Sequence, residues 1–217
     1  MPIYADINTA FVHIPKTGGS SVANALYHAN KAANGKKNGY SFEIEKHETG
    51  LDIQKYCEKH NFDKLFSFSV VRNPLDRLAS WYFYYKELFE NKTLPADLCP
   101  NGCGESFLKM EFNEWVRSLR REYDPTCSTE IDCPLTQMAP QTVHVSDYGG
   151  FILLDEIIRF EQLQEGWEYI CSKIGLEDVS LPHLNRGREM DYKSIYDSDT
   201  EKLVRSLYKI DFDTFGY

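Results

Sequence analysis

The stretch FVHIPKTGGSS at residues 11–21 combines the end of a strand, a tight turn and the start of a helix. Residues 9–14 are rich in β-forming side chains, and residues 18–30 carry apolar side chains at helical spacing. In a strand, loop and helix unit, glycines let the backbone turn its amides toward one point, and the helix N-terminus adds partial positive charge. The stretch therefore predicts a binding site for a phosphate-like group.

The loop itself supplies several kinds of group that bind an anion. Lys16 brings a positive charge, Gly18 and Gly19 give a permissive backbone, and hydroxyl groups come from Thr17, Ser20 and Ser21. The lysine precedes the glycine pair, whereas nucleoside triphosphatases carry GxxxxGKS or GxxxxGKT. The loop is thus a poor fit to such enzymes, and a plain glycine turn with an exposed lysine is the alternative.

A second stretch, FSVVRNPLDRLASWY at residues 68–82, contains a candidate site for a second phosphate. The apolar run at 65–71 predicts a buried strand, with Arg72 at its carboxyl end, where open α/β sheets bind ligands. Asn73 and the proline after it indicate a helix start, and Ser80 shares a face of that helix with Asn73. Arg72 and Ser80 could hold a phosphate together; the alternative is a surface arginine with capping and solvent roles.

The remaining chain alternates between strand-like and helix-like patterns. Further strands are predicted at 40–46 and within 151–160, and helices at 51–60, 74–89, 106–121, 161–174 and 199–208. This alternation predicts an α/β fold with a central, mostly parallel sheet flanked by helices. We predict one domain over residues 1–217, with an insertion or lid at about 91–145. The helix at 74–89 is expected to direct its aromatic side chains into the core: Trp81, Tyr82, Tyr84 and Tyr85.

Composition excludes some classes of protein. With 217 residues, of which 42% are apolar, the chain can bury a substantial core. Its formal charge of -9 argues against a nucleic-acid partner, because phosphate backbones are bound by clustered Lys and Arg. Neither a long apolar run nor a signal-peptide pattern is visible, so a cytoplasmic location is predicted, although an excised lumenal domain would look the same.

The cysteines fall into two groups. Cys57 and Cys171 sit in helix-like apolar patterns and are predicted to be buried thiols. Four others form two close pairs, in CPNGC and CSTEIDC: Cys99, Cys103, Cys127 and Cys133. Their spacing is a weak zinc signature, which leaves disulfides or reduced thiols as the main alternatives. No carboxylate or histidine pattern predicts a metal site.

Taken together, HIPKTGGSS and VVRNPLDRLASWY resemble the two cofactor motifs of sulfotransferases that use 3′-phosphoadenosine 5′-phosphosulfate (PAPS). The branch they resemble most contains carbohydrate 2-O-sulfotransferases and bacterial relatives. The similarity extends to IIRFEQLQEGW, LPHLNRGR and the terminal DFDTFGY, so it covers most of the chain outside 91–145. It implies a P-loop-like, three-layer α/β fold and a metal-independent transfer of a sulfuryl group from PAPS to an acceptor hydroxyl.

The same resemblance assigns roles to residues of both motifs. The six loop residues from Lys16 to Ser21 would hold the 5′-phosphosulfate, and Arg72 and Ser80 the 3′-phosphate. Lys16 suits the bridging oxygen, because in-line transfer needs positioning and charge stabilisation on the leaving group. The related enzymes also close a loop over the nucleotide, which here would bring in Arg186 and Arg188 of HLNRGRE.

The acceptor hydroxyl needs a general base, and the resembled branch often places a histidine soon after the second strand. His47 in EIEKHETG occupies that position, and an imidazole can accept a proton near neutral pH. Glu48 is the alternative base, and a structural hydrogen bond is the alternative role for His47. His13 lies inside a predicted strand and is expected to be structural, whereas His144 and His183 receive no assignment.

The acceptor and the reaction class leave alternatives open. An acidic chain favours a small, lipid-linked or weakly charged acceptor, with a carbohydrate included, although Arg117, Arg120 and Arg121 keep a polyanionic sugar possible. The 91–145 segment is the candidate acceptor wall. The other functional hypotheses are a P-loop-type nucleotide kinase or hydrolase and a nucleotide-binding module without turnover. The sequence does not indicate an oligomeric state.

Overall fold

The computed structural model describes residues 3–34, 47–60, 65–91, 107, 109–122, 138–177, 179–182 and 191–217, with the backbone alone at 120–122. In chain order the elements are β1 Ile3–Tyr4, β2 Thr9–Val12, α1 Gly19–Asn34, α2 Gly50–Lys59, β3 Phe66–Val71, α3 Pro74–Glu90, α4 Phe112–Glu122, α5 Gln141–Val145, β4 Glu156–Arg159, α6 Leu163–Ile174, α7 Ser198–Leu207 and α8 Lys209–Phe215. Among these helices none is both long and apolar enough to cross a lipid bilayer.

The chain divides into two compact units. The first draws on Met1–Arg72 and Gln141–Arg186 and contains the sheet with α1, α2, α5 and α6. The second draws on Asn73–Pro140 and Gly187–Tyr217 and contains α3, α4, α7 and α8. The interpretation of residues 1–217 as one domain with an insertion at 91–145 stays a prediction, and much of that segment lies outside the described residues.

A four-stranded sheet in the order β1-β2-β3-β4 forms the centre of the first unit. β1 pairs antiparallel with β2, whereas β2, β3 and β4 run parallel, with Phe11 opposite Phe68 and Ser69 opposite Ile157. This arrangement confirms the predicted α/β class with a mostly parallel sheet and flanking helices. Because the three parallel strands point the same way, the residues that follow them emerge at one edge of the sheet.

Apolar side chains from both strands and helices fill the core of the first unit. Phe11 and Phe68 are fully buried on neighbouring strands, with ring centroids 5.0 Å apart. α6 packs closely on β4 at Gly166. A Cβ added there would lie only 2.9 Å from Cβ of Ile158, so the close approach requires a glycine. Trp167 of α6 is completely buried and satisfies its indole N–H by donating to the Val179 carbonyl at 2.6 Å.

The second unit has an aromatic core centred on α3 and α4. Trp81 of α3 stacks on Trp115 of α4, with ring centroids 5.5 Å apart and planes 4° from parallel. Trp81 and Tyr82 are each 1% exposed, which confirms them as core residues, and Tyr85 packs against the same cluster. The prediction for Tyr84 is wrong: its side chain is 39% exposed, because it lies about 200° around the helix from Tyr82.

Local patterns located most of the described elements. Asn73 caps α3 as predicted, since its side-chain oxygen accepts from the Leu75 backbone N–H at 3.0 Å. Within 151–160 only Glu156–Arg159 forms a strand, and the helix predicted at 106–121 is regular over Phe112–Glu122. The short elements β1, α5 and α8 were not predicted. The strand predicted at 40–46 lies outside the described residues.

The two cysteines that the structure describes differ in environment. Cys171 is buried on α6, and desolvation, followed by the nearby Glu168 carboxylate, raises the pKa of its thiol to about 11. It is therefore an inert core thiol, as predicted. Cys57 is only half-buried, so its prediction as a buried thiol holds in part. Cys99, Cys103, Cys127 and Cys133 lie outside the described residues.

Candidate functional site

The loop between β2 and α1 has an unusual backbone. Lys16 and Gly18 both adopt left-handed conformations, with φ of 68° and 81°. This conformation is unfavourable for lysine, so surrounding contacts must hold it in place. Left-handed residues in a tight turn are typical of loops whose backbone amide groups bind an anion, and α1 begins immediately afterwards, at Gly19. These features are consistent with the predicted anion site at a helix N-terminus, and anion binding itself stays a prediction.

Gly19 is required by the position of His13. A Cβ at Gly19 would lie 2.2 Å from Cδ2 and 2.4 Å from Nε2 of His13. These distances are far below van der Waals contact, so any residue other than glycine would force the imidazole or the loop to move. His13 directly follows β2, is 5% exposed and stacks on Phe11 with ring centroids 5.7 Å apart. His13 is therefore packed as a structural residue, in agreement with its prediction.

The three hydroxyl residues of the loop have different surroundings. Thr17 is fully buried and donates its hydroxyl to the Ile14 carbonyl at 2.9 Å. That hydroxyl shapes the loop, so any contact of Thr17 with a ligand is expected through its backbone. Ser21 is buried and donates its backbone N–H to the Gly18 carbonyl at 3.1 Å, whereas Ser20 is half-buried. Ligand contacts of these serines stay predictions.

Arg72, at the end of β3, is held by a buried glutamine. Its backbone N–H donates to Oε1 of Gln141 at 2.9 Å, and Nε2 of Gln141 donates to the Arg72 carbonyl at 2.8 Å. Gln141, the first residue of α5, is fully buried. The amide side chain thus pairs with both backbone groups of Arg72, as a neighbouring strand would, and fixes the direction of its side chain.

The side chain of Arg72 extends to the loop. Its Nη1 donates to the Lys16 carbonyl at 3.0 Å, and its Cζ lies 4.1 Å from the centroid of the Phe160 ring. Phe160 also borders the loop directly, because a Cβ at Gly18 would come within 3.0 Å of its ring. The structure therefore brings two sequence-predicted site residues together, with Arg72 supporting the left-handed residue Lys16.

His47 lies beside the strand that leads into the loop. Its Nδ1 is 2.9 Å from the His13 carbonyl oxygen, and the two imidazole centroids are 4.8 Å apart. Because a carbonyl oxygen only accepts hydrogen bonds, Nδ1 must carry the proton in this contact. The neutral ring then presents Nε2 as its acceptor nitrogen, which is the protonation state that a general base requires.

The alternative base, Glu48, directly precedes the capping box at the start of α2. Thr49 and Asp52 form a capping box there, with Oγ1 of Thr49 accepting from the Asp52 N–H and Oδ2 of Asp52 accepting from the Thr49 N–H. Burial alone would raise the pKa of Asp52, but the hydrogen bonds that its carboxylate accepts from the hydroxyl and the backbone N–H of Thr49 outweigh burial and lower the pKa. The choice between His47 and Glu48 as the base stays a prediction.

The roles predicted for the other site residues stay untested by the described part of the chain. Ser80 is half-buried on α3 of the second unit, so its role at the 3′-phosphate stays a prediction. His144 is buried on α5 of the first unit. Arg186, Arg188 and His183 lie outside the described residues. Within the ranges that the structure describes, no group of three His, Cys, Asp or Glu side chains could hold a metal ion.

Sequence reasoning missed two residues of the site, Gln141 and Phe160. Gln141 lies inside the segment that the sequence analysis interprets as an insertion. Its contact with Arg72 spans 69 positions, so no local sequence pattern predicts this contact. Phe160 stands in IIRFEQLQEGW, one of the stretches that carry the resemblance, but an aromatic residue after a strand has no distinctive signal on its own.

Comparison with known proteins identifies a family. The model of a family described as "Sulfotransferase family" matches residues 4–217, a range that includes the Lys16 loop, Arg72, His47 and α3. No curated protein and no solved structure matches the chain significantly. The family match covers nearly the whole sequence and both stretches that the sequence analysis predicts to bind anions. The chain therefore belongs to the sulfotransferase family.

Proposed function

We propose that this sulfotransferase moves a sulfuryl group from PAPS to the hydroxyl group of an acceptor, a carbohydrate or another small or lipid-linked alcohol. The observation that carries the choice of donor is the hydrogen bond from Nη1 of Arg72 to the Lys16 carbonyl, at 3.0 Å. It joins the two stretches that would bind the 5′ and 3′ ends of one nucleotide. Family membership supports sulfuryl transfer in general.

The residues present suit the 5′-phosphosulfate. The left-handed backbone at Lys16 and Gly18 directs amide donors toward one point, and the start of α1 at Gly19 adds the positive end of a helix dipole. Lys16 adds a full charge. These groups together favour an anion of phosphate or sulfate type.

Arg72 suits the 3′-phosphate while it supports the loop. A guanidinium has five N–H donors, and the bond to Lys16 uses Nη1. The Phe160 ring, 4.1 Å from Cζ of Arg72, helps to orient the planar guanidinium. Ser80, Arg186 and Arg188 are the further contacts that we propose for this phosphate.

PAPS supplies a sulfuryl group on a good leaving phosphate. Nε2 of His47 would take the proton of the acceptor hydroxyl as the new S–O bond forms and the bridging S–O bond breaks. Lys16 would stabilise the negative charge that develops on the bridging oxygen. The products are a sulfate ester, 3′-phosphoadenosine 5′-phosphate and a protonated imidazole, so atoms and charge balance without a metal.

Calorimetry with 3′-phosphoadenosine 5′-phosphate and with adenosine 5′-phosphate tests the donor. We expect the first to bind and the second to bind at least about tenfold more weakly, because it lacks the 3′-phosphate. Lys16→Ala should weaken binding, whereas Lys173→Ala, at an exposed lysine on α6, should not. Equal affinity for both nucleotides, or no binding by folded protein, would contradict the proposal.

Turnover distinguishes the reaction classes. Radiolabelled PAPS incubated with a panel of hydroxylated acceptors should yield a labelled ester. Magnesium-dependent ATP turnover without sulfuryl transfer would instead support the kinase or hydrolase hypothesis. Nucleotide binding without transfer to any acceptor of the panel would support a binding module.

A further inference from the structure

Two aromatic side chains are exposed to solvent on the turn that follows α5 in the first unit. Tyr148 is 95% exposed and Phe151 is 74% exposed, and Val143 and Ile152 nearby are also exposed. Single exposed apolar residues are ordinary, but several on one short segment mark a binding surface. We name residues 146–152 the aromatic hairpin.

The aromatic hairpin is held by its own hydrogen bonds. The Asp147 backbone N–H donates to the Phe151 carbonyl at 3.0 Å, and Leu153 donates to the Val145 carbonyl at 2.9 Å. The Asp147 carboxylate accepts from the backbone N–H groups of Gly149 and Phe151, both at 2.9 Å. The exposed rings therefore project from a defined turn, which lowers the entropy cost of binding against them.

The base of the hairpin connects to both parts of the candidate site. α5, which leads into the hairpin, begins at Gln141, whose side chain holds the backbone of Arg72. On the other side, Gly50 stands three positions after His47, and a Cβ there would lie 3.6 Å from Cβ of Leu153. The hairpin is thus joined through α5 to the glutamine that holds Arg72, and the residue that follows it, Leu153, lies close to Gly50 at the start of α2, three positions after His47.

The charge around the hairpin restricts its ligand. Residues 138–158 contain no lysine or arginine, whereas Asp147, Asp155 and Glu156 are acidic. A sulfated or carboxylated glycan would be repelled by this segment. Exposed aromatic rings instead favour the apolar face of an uncharged molecule.

We propose that the aromatic hairpin forms the acceptor wall, and that the acceptor is an uncharged hydroxyl compound with an apolar face, such as a neutral glycoside. The wall then lies just beyond the 91–145 segment to which the sequence assigned it. This inference rests on the proposed function, because it names the acceptor class of the same site.

Two variants, Tyr148→Ala and Phe151→Ala, test the wall, with 4-nitrophenyl β-glucoside as the neutral probe and a heparin-derived oligosaccharide as the polyanionic one. We expect the KM for the neutral probe to rise roughly tenfold in each variant, with kcat and nucleotide affinity unchanged. Phe151→Tyr should retain the wild-type KM. Ile210→Ala removes a side chain that is 51% exposed in the second unit and serves as the matched control.

The outcomes separate this inference from the proposed function. Wild-type KM in both alanine variants overturns the wall. The wall is also overturned if the wild-type protein binds 3′-phosphoadenosine 5′-phosphate but sulfates only the polyanionic probe. The same conclusion follows if it binds this nucleotide and sulfates neither probe. Loss of nucleotide binding in the wild type overturns the proposed function itself. Unfolding midpoints equal to that of the wild type establish that the variants are folded.

Discussion

Nδ1 of His47 lies 2.9 Å from the carbonyl oxygen of His13, across 34 positions of sequence. His13 follows the strand that leads into the Lys16 loop, and its ring packs against Gly19 at the start of α1. The same residue therefore positions the candidate base through its backbone and the candidate anion site through its side chain.

Replacing His47 tests this arrangement. His47→Asn keeps an N–H that can donate to the His13 carbonyl but provides no base, so we expect turnover to fall by about 10² to 10⁴ with nucleotide affinity unchanged. His47→Ala should lose as much turnover. Steady-state kinetics and calorimetry measure both quantities, and His60→Ala, at the exposed end of α2, is the control. Wild-type turnover in His47→Asn would remove His47 from the mechanism.

Gly19→Ala should destabilise the first unit. The added methyl group would meet Cδ2 of His13 at 2.2 Å, so the imidazole must move, at a cost of about 1–3 kcal/mol. Urea unfolding should show this loss, and nucleotide binding should weaken because the loop shifts. The double variant His13→Ala with Gly19→Ala removes the clash and should be less destabilised than the sum of the single variants. Additive losses in the double variant would show that the two residues do not interact.

Removing the guanidinium of Arg72 should uncouple the loop from β3. Arg72→Ala loses a charged hydrogen bond to the Lys16 carbonyl and the stacking on Phe160, so nucleotide affinity should fall roughly 10- to 100-fold. Arg72→Lys should recover little of it, since an ammonium lacks the planar group that stacks. Arg205→Ala, at an exposed i,i+4 pair on α7, should bind as the wild type does. An undiminished affinity of Arg72→Ala would contradict the role of Arg72.

The buried side-chain amide of Gln141 should contribute to the free energy of unfolding through its two hydrogen bonds to the backbone of Arg72. Gln141→Leu leaves the N–H and carbonyl of Arg72 without this partner, and each loss costs about 1–3 kcal/mol in the free energy of unfolding. Nucleotide affinity should fall as well, because Arg72 loses its orientation. Gln164→Leu changes an exposed glutamine on α6 that pairs with Glu168, so its stability should stay close to wild type. Equal stability of the two variants would show that the hydrogen bonds between Gln141 and the backbone of Arg72 do not stabilise the protein.

The capping box of α2 predicts a dependence of stability on pH. Hydrogen bonds from the hydroxyl and backbone N–H of Thr49 outweigh burial and lower the pKa of Asp52 in the folded protein, so the ionised carboxylate stabilises α2 above the pKa of an unfolded aspartate, about 3.9. That contribution is lost as the pH falls through the lower, folded-state pKa. Asp52→Ala should therefore cost about 1 kcal/mol near neutral pH and progressively less at acidic pH.

Urea unfolding of wild type and Asp52→Ala at about pH 7 and about pH 3 measures the change. Asp213→Ala, at an exposed aspartate of α8 that pairs with Lys209, is the control for a carboxylate outside the box. A difference between wild type and Asp52→Ala that does not shrink on acidification would exclude the capping carboxylate as its cause.

Local patterns in the sequence predicted β2, α1, β3 and α3 because each depends on neighbours a few positions apart. The apolar run before Arg72 and the asparagine cap after it fix where β3 ends and α3 begins. The exposure of Tyr84 was predicted wrongly, since the face that a helix buries depends on the helices that pack on it.

By itself the sequence determined the α/β class and the membership of the family. It also predicted the anion-binding loop from Lys16 to Ser21, because glycines, a buried strand and a helix start act over short range. Only the tertiary structure decided that Gln141 orients Arg72, that Arg72 supports Lys16, and that His13 sets the protonated nitrogen of His47. The partners in these contacts are 34 to 69 positions apart, and such contacts form only once the strands pair and bring distant residues to one edge of the sheet.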